Sequence, residues 1–291
     1  MNDASDNLRG AMLMMLAMAV YVINDALMKF ASVEVSLAQG VFVRGMVASS
    51  MMVVFAHYKG HLLYPVSWAE VKTISLRAGA EITATFCYLT ALFNMPLASS
   101  TAILQALPLA VTLAGALFLG EKVGWRRYLA ISIGFAGVLI IIRPGGDDFN
   151  AYSLWAVAAV GFITLRDMLA AKLNKRIPSI FVALFTAVGV TLAAGVVAAF
   201  QPWQPLSAGS YTLLASAAAF ILVGYITSVS AMRYGEIAFV APFRYTILVW
   251  ALLLGIFVFK DYPDFWTMVG TGIVVGTGVF TFYREQRAKA K

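Results

Sequence analysis

Charge is scarce in this sequence. Only 12% of its 291 residues are charged, whereas 61% are hydrophobic. A soluble domain carries about a quarter charged residues, so this chain has too little charge to cover a surface that faces water. We therefore expect lipid to surround most of it.

Cysteine and histidine are almost missing. Cys87 is the only cysteine, which excludes an internal disulfide and a cysteine-rich zinc site. His57 and His61 are the only histidines, and they stand in a short loop without a set of carboxylates or thiols, so we expect no bound metal. A phosphate-binding loop motif and a Ser–His–Asp grouping are also absent. These absences argue against an ATP-driven pump and against an enzyme, and we expect no cofactor.

Long apolar runs are abundant instead. About 20 apolar residues cross the hydrocarbon core of a bilayer. Ten segments meet that length, over residues 9–31, 35–56, 73–93, 97–119, 126–143, 152–172, 179–200, 210–232, 237–259 and 264–283. The sequence therefore predicts an all-α integral membrane protein with ten transmembrane helices. A polar break over 144–151 divides the chain into residues 1–143 and 152–291, with five helices in each half.

The basic residues predict an orientation. If both termini are cytoplasmic, only Lys29, Arg143 and Lys260 of the 21 lysines and arginines lie in segments on the opposite side. Arg44, Arg166 and Arg244 lie within helices, and the others are cytoplasmic. This bias is typical of inner-membrane proteins. The net charge of +7 is thus explained by topology, and we expect no nucleic-acid partner.

The two halves repeat each other weakly. A shift of 140 residues places Gly115 on Gly255 and Gln105 on Tyr245. Because five is an odd number of crossings, the two halves must lie in opposite orientations. Inverted repeats of this kind are common in transporters, where the substrate site lies near the midplane at the repeat interface.

Several motifs resemble one family. The stretches 97–108 (LASSTAILQALP), 117–121 (LFLGE) and 134–137 (GFAG) resemble the second half of an EamA repeat, and 24–29 (NDALMK) and 42–45 (FVRG) resemble its first helices. The second half departs from the pattern, because Leu248 stands where Pro108 would map and Lys260-Asp261 replaces Gly120-Glu121. The resemblance implies a ten-helix drug/metabolite transporter that moves organic solutes such as amino acids, amines, nucleotides or vitamins, without a prosthetic group.

Ionisable residues within the helices are the first candidates for a site, because each costs about 2.5–3.5 kcal/mol to insert and avoids lipid. Arg44 and Glu81 each lie about nine residues into adjacent antiparallel helices, so we expect them to meet near the midplane. Two interpretations remain open. Arg44 and Glu81 form a structural ion pair, or Arg44 binds an anionic group while the Glu81 carboxyl carries protons. Asp25 stands four residues before Lys29, a spacing that favours a local ion pair but leaves a gating role open.

The second half offers fewer charged candidates. Arg166 and Asp167 lie near the cytoplasmic end of their helix, where Arg166 is expected to extend to the interface. Asp167 is retained as a coupling candidate. Arg244 and Tyr245 follow Pro242, and Gln105 precedes Pro108, so polar groups stand near a proline in both halves. Irregular backbone in membranes is tolerated where it lines a cavity. Four deeper aromatic residues either pack in the core or stack on a substrate, namely Tyr88, Tyr225, Tyr245 and Trp250.

We therefore expect a secondary transporter that works by alternating access. The substrate-binding candidates are Arg44, Glu81, Tyr88, Gln105, Tyr225, Arg244, Tyr245 and Trp250, and the coupling or gating candidates are Asp25, Glu81 and Asp167. Export of an amino acid or related solute is the leading prediction. The alternatives are an uptake transporter or facilitator for a vitamin or nucleotide-like solute, and an intramembrane enzyme acting on lipid. The expected partners are the substrate, the bilayer and, for coupled transport, protons, with a monomer or homodimer in the membrane.

Overall fold

The fold was analysed in a computed structural model, which describes residues 3–118, 120, 124–146, 149–174, 176–234 and 237–289. Side chains are described for these residues except 3–5, 229, 232–233, 237–238 and 285–289. Glu121, which contributes to the family resemblance, lies outside the described residues, as do Asp147 and Asp148 of the predicted connecting loop.

The first half is a run of six helices. They are α1 (Asp3–Ala31), α2 (Leu37–Tyr58), α3 (Trp68–Asn94), α4 (Leu97–Leu104), α5 (Leu107–Phe118) and α6 (Trp125–Ile142). Polar caps start two of them. The Ser36 hydroxyl accepts a hydrogen bond from the backbone of Gln39, and Ser67 and Glu70 form a reciprocal capping box at α3. These caps pair backbone donors that the first turn of a helix leaves free.

The second half follows the same order with a more irregular fourth crossing. It contains α7 (Ser153–Ala171), α8 (Ser179–Ala199), α9 (Ala208–Tyr234), α10 (Ile237–Val240), a 3₁₀ helix (Ala241–Tyr245), α11 (Thr246–Leu254), a π-helical segment (Gly255–Phe259) and α12 (Phe265–Lys289). Within the described residues, nine helical segments are long and apolar enough to cross a membrane. Helix α3 has the length, at 27 residues, but Arg77 and Glu81 reduce its hydropathy. With α3 included, the ten crossings match the predicted number.

Two crossings that the sequence predicts as continuous helices are broken. The prediction over 97–119 is wrong at Gln105 and Ala106, which form a turn between α4 and α5. Pro108 explains the break, because its nitrogen cannot donate to the carbonyl of Leu104. The prediction over 237–259 is wrong at the 3₁₀ helix, which begins with Ala241 and Pro242. A shift of 140 residues places Gln105 of the turn on Tyr245, the last residue of the 3₁₀ helix.

The packing between halves is symmetric. Helix α1 packs mainly against α9 and α3 packs mainly against α7, which exchanges the first and third crossings of the two halves. Helix α2 packs against its counterpart α8, and α6 packs against its counterpart α12. This pattern is expected for two inverted five-crossing repeats related by a pseudo-two-fold axis. The irregular segments of the fourth crossings, α4–α5 and α10–α11, lie near that axis.

Candidate substrate site

A cavity of about 590 Å³ lies where the two halves meet. Its wall is formed by α1, α2, α3, the α4–α5 turn, α7, α9, the 3₁₀ helix with α11, and α12. The wall is apolar over most of its area but carries a set of polar side chains, which are Tyr21, Asn24, Asp25, Arg44, Glu81, Thr85, Tyr88, Gln105, Arg166, Arg244 and Tyr245. Five of these are ionisable Asp, Glu or Arg side chains, and they are provided by both halves.

A hydrogen-bond network joins α1, α2 and α3. The Tyr88 hydroxyl donates to Asp25 Oδ2 at 2.7 Å, and Asn24 Nδ2 donates to Asp25 Oδ1 at 2.9 Å. Arg44 is buried and donates from Nη1 to Asn24 Oδ1 at 3.3 Å. Asp25 therefore binds Tyr88 and Asn24, and the predicted local ion pair between Asp25 and Lys29 is wrong. Tertiary contacts from α3 replace the i, i+4 contact because the Tyr88 hydroxyl reaches the carboxylate directly.

A second network crosses the interface between the halves. Arg166 Nη1 lies 2.7 Å from Glu81 Oε2, and Arg166 Nη2 lies 2.8 Å from Asp167 Oδ1. The predicted pairing of Arg44 with Glu81 is thus wrong within the described part of the chain, although both line the cavity. The predicted interfacial placement of Arg166 is also wrong, since its side chain turns inward to the Glu81 carboxylate. This ion pair joins α3 to α7.

The third polar group lies on the 3₁₀ helix. Arg244 is exposed to the cavity, and among the described residues no hydrogen-bond acceptor or carboxylate pairs with its guanidinium. The adjacent Tyr245 has a buried hydroxyl without a hydrogen-bond partner among the described residues. That hydroxyl lies against Gly278 of α12, so closely that a Cβ at position 278 would be 1.8 Å from it. Arg244 therefore presents an unused charge to the cavity, and Tyr245 beside it holds an unused hydroxyl within the cavity wall.

One turn beyond the cavity, a set of contacts that we call the Lys29 seal closes the gap between α1, α3 and the fourth crossing of the second half. Lys29 Nζ donates to the carbonyl of Leu92 at 3.1 Å and also to the carbonyl of Met95. These carbonyls end α3, where a helix has unpaired acceptors and a partial negative charge. The ring of Phe30 stacks on Phe259 at a centroid distance of 4.6 Å, and Lys29 lies 5.7 Å above the Phe259 ring.

Comparison with known proteins identifies this architecture. The sequence profile of the EamA-like transporter family matches residues 8–143 and 150–283, which are the two halves of the fold. The chain belongs to the EamA-like transporter family. This EamA protein is therefore a multi-pass membrane transporter of small metabolites and not an enzyme, which removes the lipid-acting enzyme from the alternatives.

The relatives of this EamA protein are named for different cargoes. It is 25% identical over 292 residues to an S-adenosylmethionine uptake transporter of Rickettsia prowazekii, covering 99% of this chain and 97% of that protein. It is 26% identical over 271 residues to a riboflavin transporter of Vibrio cholerae, covering 92% and 91%. A pseudopaline exporter of Pseudomonas aeruginosa is 25% identical over 278 residues, covering 91% and 93%. A crystal structure with 16% identity matches the fold with a TM-score of 0.68 over 96% of this chain and 98% of the other.

The sequence-predicted site residues of this EamA protein separate into two groups. The cavity is lined by Asp25, Arg44, Glu81, Tyr88, Gln105, Arg244 and Tyr245. Asp167, Tyr225 and Trp250 are outside its lining. Asp167 pairs with Arg166 at its edge. Tyr225 packs against the core cluster of Ala56, Ile180 and Leu184, and Trp250 is 37% exposed on the outer surface of α11.

Four polar lining residues were missed by reasoning from the sequence. Tyr21, Asn24 and Thr85 are uncharged, and they were not singled out by the cost of inserting charge. Arg166 was considered and assigned to the interface. The internal repeat could have indicated that Arg166 belongs to the site, because a shift of 142 residues places Asn24-Asp25 of α1 on Arg166-Asp167 of α7. The repeat thus relates the polar positions of the two first crossings.

Proposed function

We propose that this chain transports an amino-acid-bearing metabolite across the bacterial inner membrane by alternating access, with both termini cytoplasmic and export as its direction. The observation that carries the proposal is the cavity between the inverted halves, which gathers two carboxylates and three arginines. A volume of about 590 Å³ lies within the usual range of about 300–1,000 Å³ for sites that hold small organic ligands. Charges of both signs match a zwitterion.

The two ends of the cavity support alternating access. In the proposed orientation the Lys29 seal lies on the periplasmic side, and this conformation is the state closed to the periplasm. The seal consists of two hydrogen bonds and an aromatic stack, which is few enough for the contact to break and re-form. Transport requires a second state in which α1 separates from the end of α3.

Coupling to protons is assigned to the carboxylates. Asp25 and Glu81 line the cavity, and Asp167 shares Arg166 with Glu81. Protonation of Glu81 would weaken its ion pair with Arg166 and so loosen the contact between α3 and α7. This sequence of events links a proton to a contact between the two halves, as secondary transport needs.

Uptake is the second candidate direction. A relative that aligns with 99% of this chain is named an S-adenosylmethionine uptake transporter. S-adenosylmethionine carries an α-amino acid group and an adenine, and it therefore fits the proposed substrate class. It is the first substrate to test, with methionine and riboflavin beside it.

The test is flux through the purified full chain in liposomes of known orientation. We expect S-adenosylmethionine or methionine to accumulate against its gradient when a proton gradient is imposed, and to equilibrate after a protonophore is added. Accumulation from the side that bears the termini supports export, and accumulation from the other side supports uptake. Simple equilibration throughout would show a facilitator. Glu81→Gln should flatten the pH profile of the flux, and an unchanged profile would remove Glu81 from the coupling role.

A further inference from the structure

The charges of the cavity do not balance. Three arginines line it, Arg44, Arg166 and Arg244, against two carboxylates, Asp25 and Glu81. Arg166 is paired with Glu81, and Arg44 is tied through Asn24 to Asp25. Among the described lining residues, Arg244 is left without a partner for its guanidinium. A positive charge held inside a membrane protein attracts an anion, because the surrounding low dielectric strengthens that interaction.

The hydroxyl of the neighbouring Tyr245 also lacks a partner among the described residues. Tyr245 Oη is buried and makes no hydrogen bond with the described residues, and a buried hydroxyl without a partner is unfavourable by about 1–3 kcal/mol. It packs against Gly278, since any side chain at 278 would collide with the phenol at 1.8 Å from Oη and 2.6 Å from Cζ. The structure thus keeps an unused donor within the wall of the cavity, and this donor becomes available to a ligand when the phenol moves away from α12.

The 3₁₀ helix explains why both groups are available. Pro242 stands in the first turn of this helix, and Arg244 and Tyr245 end it, directly before α11. Both side chains line the cavity, and the break in the fourth crossing holds them there. Polar groups at the ends of broken helices commonly bind substrate in transporters.

We propose that Arg244 and Tyr245 form the subsite for the carboxylate of the substrate, and that the Tyr245 hydroxyl leaves its contact with Gly278 to reach the bound carboxylate. The guanidinium pairs with the carboxylate through two parallel hydrogen bonds, a geometry that arginine favours, and the phenol donates a third. A carboxylate is chosen over a phosphate because one arginine neutralises one negative charge. This inference rests on the proposed function and specifies which group of the cargo the cavity recognises.

The first experiment compares two probes that differ at the carboxylate. S-adenosylmethionine and decarboxylated S-adenosylmethionine share the sulfonium, the amine and the adenine. Binding to the full chain in nanodiscs should be about 10- to 100-fold tighter for S-adenosylmethionine, which is the usual range for hydrogen bonds to a charged group. Arg244→Gln should abolish that preference, and Arg244→Lys should keep only part of it because lysine lacks the planar fork.

A matched control removes an arginine elsewhere. Arg126 is exposed at the start of α6 and lies against Trp125, so Arg126→Gln makes the same change of charge far from the cavity. It should leave the preference between the two probes intact. Loss of the preference in Arg126→Gln as in Arg244→Gln would mean that net charge, and not a subsite, selects the carboxylate.

The second experiment separates a binding role of Tyr245 from a structural one. Tyr245→Phe removes a hydroxyl that has no partner among the described residues, so the melting temperature should be unchanged or higher while S-adenosylmethionine binds about 10-fold more weakly.

Three outcomes would overturn the subsite while leaving transport in place. They are equal binding of the two probes by the unaltered protein, binding of riboflavin alone, and an unchanged preference in Arg244→Gln. If the unaltered protein neither binds nor transports S-adenosylmethionine, methionine or riboflavin, the proposed function fails together with the subsite. A drop in melting temperature for Tyr245→Phe without weaker binding would assign the hydroxyl a structural role.

Discussion

The close approach of α6 and α12 gives a prediction that tests the packing of the two halves. Gly137 of α6 faces Gly270 of α12. A Cβ on Gly270 would lie 2.6 Å from the carbonyl oxygen of Gly137 and 2.6 Å from Cγ1 of Ile141. Because one of these atoms belongs to the backbone, the helices themselves must separate to admit it. Small residues permit such contacts in membranes, where packing is a main source of helix association.

The magnitude follows from two opposing effects. Gly270→Ala introduces a methyl group into a filled contact, and overpacking of this kind costs about 1–3 kcal/mol. The same change favours helix formation by about 0.5–1 kcal/mol, because alanine loses less backbone entropy than glycine. Gly272→Ala isolates the second effect, since Gly272 is exposed on the same helix and nothing lies within 4 Å of its Cβ. The difference between the two variants should therefore be about 1–3 kcal/mol, with Gly270→Ala the less stable.

The assay is reversible unfolding of both variants in mixed micelles, followed by circular dichroism. We expect Gly272→Ala to equal or exceed the unaltered protein in free energy of unfolding, and Gly270→Ala to fall below Gly272→Ala. Equal stability of the two variants would refute the argument that α6 and α12 touch through their backbones at this point. The nearby ion pair of Arg143 with Asp264 is unchanged in both proteins, so it does not affect the comparison.

Three further predictions concern other contacts between helices. Lys29→Met should open the Lys29 seal, so that a cysteine placed in the cavity reacts about 10- to 100-fold faster with a maleimide added from that side; an unchanged rate contradicts a gating role. Hydrogen bonds from Ser210 and, to a smaller extent, Ser207 lower the pKa of Glu34 below its ordinary value of 4.5. Glu34→Gln should therefore be less stable than the unaltered protein at neutral pH. Thermal unfolding should show this difference disappearing as the pH falls below about 4. Arg166→Met leaves Glu81 without its partner and should lower the midpoint of unfolding, and adding Glu81→Gln should restore part of the loss; no recovery in the double variant means that the ion pair does not stabilise the fold.

The number of crossings and their division into two halves could be predicted from the sequence because they depend on local composition. An apolar run of about 20 residues has few alternatives to a membrane helix, and the shift of 140 residues makes the repeat visible. Helix α3 shows the limit of composition. Arg77 and Glu81 lower its hydropathy, yet its length and the odd number of crossings per half still indicate that it spans the membrane.

The lining of the cavity was partly predictable for the same reason. Charge inside a helix is expensive in lipid, so the sequence alone indicates that Asp25, Arg44, Glu81 and Arg244 avoid it. All four line the cavity. Aromatic residues carry no such signal, because Tyr88 and Trp250 are equally compatible with a cavity, a core or a lipid-facing surface. Of these two, only Tyr88 lines the cavity, where its hydroxyl binds Asp25, whereas Trp250 is outside the lining and partly exposed.

The partners of these charges were decided by tertiary structure alone. Sequence spacing favours an ion pair between Asp25 and Lys29. In the folded chain, Asp25 instead accepts hydrogen bonds from Tyr88 and Asn24, and Lys29 donates to a carbonyl at the end of α3. Likewise, Glu81 pairs across the interface with Arg166. Hydropathy and spacing act within one helix, whereas an ion pair depends on the rotation of two helices about their axes. That rotation is set by packing between the inverted halves, and among the described lining residues it leaves Arg244 facing the cavity without a carboxylate.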